Sequence, residues 1–535
     1  MFIKGREKAK NRRDKEREAQ DKVSVYHSHA LPLDMEDITR DYDKPVTDAG
    51  LAAKTSLIVR VGMLDLGAGT GSFRVREMMH RIAFPLGVHV RSDVNLTDIE
   101  ATCTDGKERI TEVVDLPTTG VNTERIWLLE HFADWFSVRC GLTSLYHHES
   151  SISTELVDSL GTRESEGSAL RAIKKHRKKL ASKLPTGEYA EHFEHYQPDS
   201  FAHGTKPITV REAHARLDTI EHRHPLYSPQ FAGFASAVAC ASFVFLLGGG
   251  PIDMLGAFIG AGVGHYVRRL LLARHINQFF VTFVVVALAA VACVGTLRLF
   301  GLFDPAALEH DTAYIGATLF VIPGFPLVTG GLDIAKIDYP SGIQRLTYAL
   351  SIILMATLAG WAVARIVMLN PRGFEPLGLN DWTNGMLRCI MAFGGVWGFS
   401  VMFNSPQRMA LTAASIGAVT DTLRLEIQDL FGVPPEAAAF VGAFIAGILA
   451  SFWRSAVRRG WLPPHLGYPR ICLTVPSIVI MVPGLYMYRA MFYLGQFNTL
   501  QALDWGFRAF MVILCLPVGL AMARVITDRS WRYDK

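Results

Sequence analysis

The chain has 535 residues, half of them hydrophobic and only 19% charged, with a formal net charge of +4 and a mean hydropathy of +0.21. A chain this long and this apolar is not one soluble domain, and so small a net charge does not mark a nucleic-acid binder. The charge is also uneven: about 30% of residues 1–228 are charged against about 12% of the remainder, so a soluble part precedes a part suited to lipid.

Residues 1–44 alternate Lys and Arg with Asp and Glu and hold few core-forming side chains, which predicts a disordered tail. No apolar signal-peptide run follows the first charges, so the leading part is expected to stay cytoplasmic. Residues 45–140 then read as a small α+β module. Apolar spacing predicts helices over Leu51–Leu66 and Ser72–Phe84, the second closed by Pro85 and Gly87. Strand signals run from Val88 to Val114 around a turn at Thr104-Asp105-Gly106, and a helix follows over Asn122–Cys140 with Asn122 as its N-cap.

Residues 141–204 lose this regularity and read as a linker or insertion. Its histidines His147, His148, His192, His195 and His203 lack the spacing of metal ligands and read as solvated. The seven cysteines are odd in number and form no CxxC pair, so neither a disulfide framework nor a zinc site is supported, and neither metal nor cofactor is expected. An amphipathic helix over 207–224 leads into the apolar region.

Within the first module, Leu64–Phe73 reads LDLGAGTGSF, the pattern of a glycine-rich loop for S-adenosylmethionine, with Asp93 placed for a ribose. Against that reading, Lys54 and Arg60 in the preceding run are hard to bury in a central parallel strand, and no catalytic motif follows. An interhelical turn is the simpler interpretation.

From residue 229 onward, apolar stretches lie at 231–250, 254–272, 278–297, 312–330, 346–367, 386–404, 409–424, 436–453, 471–488 and 506–525, about ten spans. With the N-terminus inside, the inner loops and tail hold twice as many Lys and Arg as the outer ones, which predicts both termini in the cytoplasm. The spans look like five used twice. Ile259-Gly260-Ala261 recurs as Ile416-Gly417-Ala418, and Val321-Ile322-Pro323-Gly324 recurs as Met481-Val482-Pro483-Gly484, offsets of 157 and 160 residues. An odd number of spans per copy makes the second copy enter from the opposite side, so the fold class is a polytopic α-helical membrane protein of two inverted five-helix repeats. The first repeat, with the amphipathic helix, takes 205–370, and the second, with a cytoplasmic tail, takes 371–535.

Both Pro-Gly pairs fall inside apolar helices, where they should break the helix and free backbone groups for a zwitterionic solute. Asp333 and Asp338 follow the first break, and an acid there is a candidate for proton relay or amine binding, with Lys336 near enough to neutralise it. Asp421 and Glu426 are weaker candidates, expected near the outer surface.

Five segments, GAGTGSFRVREMMHRIAFPLGV, GVNTERIWLLEHFADW, REAHARLDTIEHRHPLY, VIPGFPLVTGGLDIAKIDYPSGIQRL and TVPSIVIMVPGLYMYRAMFYL, resemble the successive blocks of the bacterial threonine/serine exporter family. The resemblance covers 50–140 and 207–527. It implies a cytosolic module joined to ten spans, exporting threonine and serine by proton antiport across the cytoplasmic membrane, with no enzyme activity. By position it marks Gly67, Arg74 and Asn122 in the module, and Pro323, Gly324, Asp333, Arg345, Pro483, Gly484 and Tyr488 in the membrane part. The partners implied are the small solute, protons and the lipid bilayer, without nucleic acid, and a homo-oligomer stays open. The alternatives are export of another small metabolite such as a dicarboxylate, a membrane-tethered methyltransferase, or a scaffold that transports nothing.

Overall fold

The computed structural model describes residues 33–116, 120–140, 208–371, 373–374 and 377–532. Most of the charged tail and the whole of 141–204, with His147, His148, His192, His195 and His203, lie outside these residues. The chain divides into two compact units, 1–120 with 128–223, and 121–127 with 224–535.

The first unit is built around α1 (Leu51–Gly67), a helix buried on nearly every side. α2 (Ser72–Ala83) folds back after the glycine turn, and three strands, β1 (His89–Val94), β2 (Asp98–Thr104) and β3 (Arg109–Asp115), form an antiparallel meander. Val94 and Val114 both pair with Ile99, so one alternating apolar face covers the helices. The β2–β3 turn is fixed by Asp105, whose carboxylate accepts the Lys107 and Glu108 N–H groups at 2.9 Å, and by Gly106 at φ +89. α3 (Thr123–Arg139) begins in the second unit and continues in the first; α4 (Val210–Glu221) completes the first.

Two expectations change here. Residues 33–44 are not a loose tail: Asp41 and Ile38 are buried, and backbone bonds run from Val46 N–H to Ile208 and from Arg211 N–H to Tyr42. α4 groups with the first unit and not with the helices from residue 224 onward, because Val210, Ala213 and Leu217 are buried and Arg60 of α1 pairs with Asp218 and Glu221. The strand that an S-adenosylmethionine loop requires is absent at this position, since the residues before the glycines are α1.

The second unit is helical. Its first half comprises α5 (Pro229–Leu246), α6 (Pro251–Leu272), α7 (Gln278–Phe300), α8 (Ala313–Thr318), α9 (Gly324–Ala335) and α10 (Tyr339–Val367). The second half comprises α11 (Asp381–Met402), α12 (Gln407–Phe431), α13 (Pro435–Arg458), α14 (Arg470–Val479), α15 (Gly484–Gly495) and α16 (Thr499–Thr527). α9 and α15 are both 12 residues long, α10 and α16 both 29, and each pair starts 160 residues apart. Even the left-handed residues of the elbows correspond, Ile337 at φ 65 and Phe497 at φ 61.

Among the described residues, α5, α7, α10, α11, α13 and α16 are long and apolar enough to cross a membrane. The bent pairs α8–α9 (60°) and α14–α15 (46°) raise the number to eight if each is one span. The helices α6 and α12 do not reach that apolarity, because their 22 and 25 residues include His265, Arg268 and Arg269 in one and Asp421, Arg424 and Glu426 in the other. Exposed Leu350, Leu354, Phe507 and Phe510 along α10 and α16 are the apolar surface expected of helices that face lipid.

Candidate functional site

The two helix breaks lie against each other. At the first, Pro323 (φ −80, ψ 62) supplies no N–H and turns the chain between α8 and α9; at the second, Pro483 (φ −80, ψ 53) does the same between α14 and α15. A β-carbon on Gly324 would come within 2.3 Å of Val479 and 3.4 Å of Val482. One on Gly484 would come within 2.5 Å of Leu319 and 3.6 Å of Ile322. Val479 and Val482 stand 160 residues after Leu319 and Ile322, so each break fills the notch of the other by the same contacts. The repeated glycines follow suit: Gly260 of α6 faces Ala317 of α8, and Gly417 of α12 faces the Ser477 carbonyl of α14.

Tyr488, one turn past the second break, is buried, its ring against Gly360 of α10, with the Tyr314 ring near the same glycine. Its hydroxyl lies beside Thr318 but completes no hydrogen bond, while Thr318 donates to the Ile315 carbonyl of its own helix at 2.8 Å. A buried phenol left so is costly unless something else hydrogen-bonds to it. Tyr314 and Thr318 are buried one turn apart on α8, as Thr329 and Asp333 are on α9.

Asp333 is fully buried and paired with Arg345 of α10, Nε to Oδ2 3.1 Å, the guanidinium itself 4% exposed. The recorded partner is thus Arg345, while Lys336 stands over the Trp531 ring at 4.4 Å. Asp338 starts α10; its N–H donates to the Asp333 carbonyl at 2.9 Å and its carbonyl accepts from Gly342 N–H. Asp421 is also fully buried, and Arg424 one turn away bonds it at 2.8 Å; Glu426 accepts from Arg388 at 2.9 Å.

A further buried acid lies in the first half of this unit. Asp253, in the first turn of α6, is 2% exposed; its carboxylate caps Gly250 N–H at 2.9 Å and meets His310 Nδ1 at 2.9 Å. Its position at the edge of an apolar run was visible, but the partner 57 residues further on was not.

In the first unit, Gly67 ends α1 at the glycine turn, and Arg74 of α2 meets Glu130 of α3 at 2.6 Å, with Arg81 on the other oxygen at 3.1 Å. Asp65, inside the glycine-rich run, is wholly buried; burial pushes its carboxyl up to about 6 against the pull of nearby Arg74. Asn122 belongs to the second unit, where its side-chain oxygen caps Arg125 N–H and accepts from Asn404, each at 3.1 Å.

Ser56 and His214 are 3.0 Å apart but are not a nucleophile and its base. Ser56 donates to the Ala53 carbonyl, and Arg60 faces His214 Nδ1 at 3.2 Å, leaving the ring proton on the nitrogen nearest the serine. Burial and Arg60 push His214 down to about 4.

A model described as "Putative threonine/serine exporter" matches residues 56–140 and 199–368, and one described as "Threonine/Serine exporter, ThrE" matches 388–526. Among curated proteins, "Pheromone-regulated membrane protein 10" of Pichia sorbitophila is 24% identical over 296 residues, 52% of this chain and 27% of that protein. "Probable succinate transporter subunit YjjP" of Escherichia coli is 28% identical over 164 residues, 29% of this chain and 62% of that protein. Its counterpart in Klebsiella aerogenes is 32% identical over 139 residues, 26% and 51% of the respective chains. The chain thus spans between about a quarter and three fifths of the length of these relatives, and no solved structure gives a significant match. The two family models together cover most of the sequence, and the chain belongs to the threonine/serine exporter family of multi-pass membrane transporters.

Proposed function

We propose that the protein exports threonine- and serine-like small amino acids across the cytoplasmic membrane in exchange for protons. The observation that supports it most is the reciprocal packing of the two broken helices beside the unpartnered Tyr488 hydroxyl. Broken helices within a bilayer are tolerated where they are buried in protein or line a cavity, transporters place solute sites at such breaks, and a buried hydroxyl donor suits a small hydroxylated zwitterion. With α6 and α12 counted as spans, the ten helices form two five-helix repeats of opposite orientation, both termini in the cytoplasm. Alternating access is then a rocking of one repeat against the other about the two breaks. The Asp333–Arg345 pair acts as a fixed charge pair at the α9–α10 elbow, holding its geometry through the cycle, since guanidinium is cationic at any physiological pH.

Cells loaded separately with labelled threonine, serine and succinate, with and without the protein, test the substrate. Faster efflux of threonine and serine alone supports this reading. Faster efflux of succinate alone replaces it with a dicarboxylate reading, which the name of the YjjP relatives favours.

A further inference from the structure

We propose that Asp253 and His310 form the proton-binding site of the transport cycle, an inference that rests on the proton-coupled reading above. A proton carrier buried in a membrane protein needs a group that changes charge near neutral pH, in contact with a partner that stabilises both states. Asp333 has a guanidinium partner, which does not titrate. Asp253 has an imidazole at 2.9 Å, a partner that can itself take up and release a proton. The His310 side chain is 18% exposed while Asp253 is 2%, so the pair joins water to the protein interior.

The placement suits exchange between two sides. Asp253 opens α6, beside the end of α7, where Gly256 meets Cys293 and Leu297. Asp333 and Arg345 lie at the other end, where Tyr348 of α10 donates to Gln278 at the start of α7, 2.8 Å. The two acids are therefore separated by most of the length of a 22-residue helix, about 30 Å. The buried hydroxyls of Tyr314 and Thr318 begin four residues after His310 and run from this end toward the breaks. Around the pair stand the Cys293 thiol of α7, with Glu309 and Asp311 flanking His310. Asp311 accepts Asn370 N–H at 2.9 Å, and Arg298 of α7 donates to the Val367 carbonyl at 3.3 Å. The second half offers no such site at the corresponding place: Met409 and Ala410 stand about 157 residues after Asp253.

The proposal needs no redox step. A proton arriving from the more acidic side binds the pair, giving imidazolium beside carboxylate, and leaves on the other side as the substrate crosses.

The test uses the full chain reconstituted with internal pyranine. It measures labelled threonine counterflow, which needs no net proton movement, and accumulation driven by a pH gradient with the accompanying pyranine signal. His310→Gln keeps a hydrogen-bonding side chain, and Asp253→Asn keeps an oxygen for the Gly250 cap. Both are expected to retain counterflow within about two-fold while gradient-driven accumulation and the proton signal fall at least ten-fold. Either variant retaining full gradient-driven accumulation with its proton signal overturns the site, as does equal loss of counterflow in both, which marks a structural pair. Wild-type counterflow without any proton signal is a different result: it overturns proton coupling itself along with this site, while export stands.

Discussion

Gly324 and Val479 are packed so closely that a β-carbon on the glycine would lie 2.3 Å from Val479 Cγ2, and Gly484 stands in the same relation to Leu319 at 2.5 Å. The two breaks therefore cannot separate or slide without the partner's apolar side chain moving too. This reciprocity couples the halves of the membrane unit at their centre.

Gly324→Ala should therefore lower transport sharply and destabilise the protein by about 1–3 kcal/mol through overpacking. Val479→Ala removes the methyl groups it strikes, so the double variant should recover part of the loss. Thermal unfolding in detergent together with threonine counterflow checks this; a double variant no better than Gly324→Ala contradicts the contact.

Removing one member of the Asp333–Arg345 pair should be worse than removing both. Asp333→Asn or Arg345→Met leaves a buried charge facing a neutral group, a loss of about 3–5 kcal/mol, whereas the double variant leaves none. Expression level and melting temperature of the three variants provide the measurement, and additive losses would show that the two side chains act separately.

Tyr488→Phe deletes a hydroxyl that lies beside Thr318 and completes no hydrogen bond of good geometry among the described residues. Stability should be unchanged or slightly raised, whereas a solute that uses the hydroxyl should bind more weakly by about 1 kcal/mol or more, a rise of five-fold or greater in KM. An unchanged KM for threonine and serine removes Tyr488 from the site.

In the first unit two buried groups oppose each other with pH. Asp65, pushed up to about 6, binds its proton more tightly folded than unfolded, so it lowers stability as pH rises from about 4 to 6. His214, pushed down to about 4, stays neutral in the fold, so its contribution is present above pH 6.5 and lost as pH falls toward 4. Each is worth about 3 kcal/mol, of opposite sign, so the wild-type module should be nearly flat across this window. Hydrogen exchange of 51–66 in the intact chain should show stability rising with pH in Asp65→Asn and falling in His214→Gln. Flat profiles in both variants contradict the assignment.

How much of this was legible in the sequence depends on the range of the interaction. The helix over Leu51–Leu66, the turn at Gly106 and both Pro-Gly breaks are written in local residues, because spacing, turn chemistry and a missing N–H act within one or two turns. The 160-residue recurrence was visible too, but not that Leu319 and Val479 serve each other's glycines. Pairs across long separations were not legible: Asp253 with His310, Asp333 with Arg345, and Arg60 with Asp218 are fixed by helix packing. Asp65 is hidden for the opposite reason, since the glycines after it resemble a loop for S-adenosylmethionine while α1 buries it as a helix residue.

The central claim, that this membrane unit moves threonine and serine against protons, is tested most directly by purified protein in proteoliposomes under an imposed pH gradient. The account predicts accumulation of labelled threonine and serine on the more acidic side, collapsing when the gradient is dissipated. No movement of either amino acid by folded protein, with or without the gradient, would contradict it.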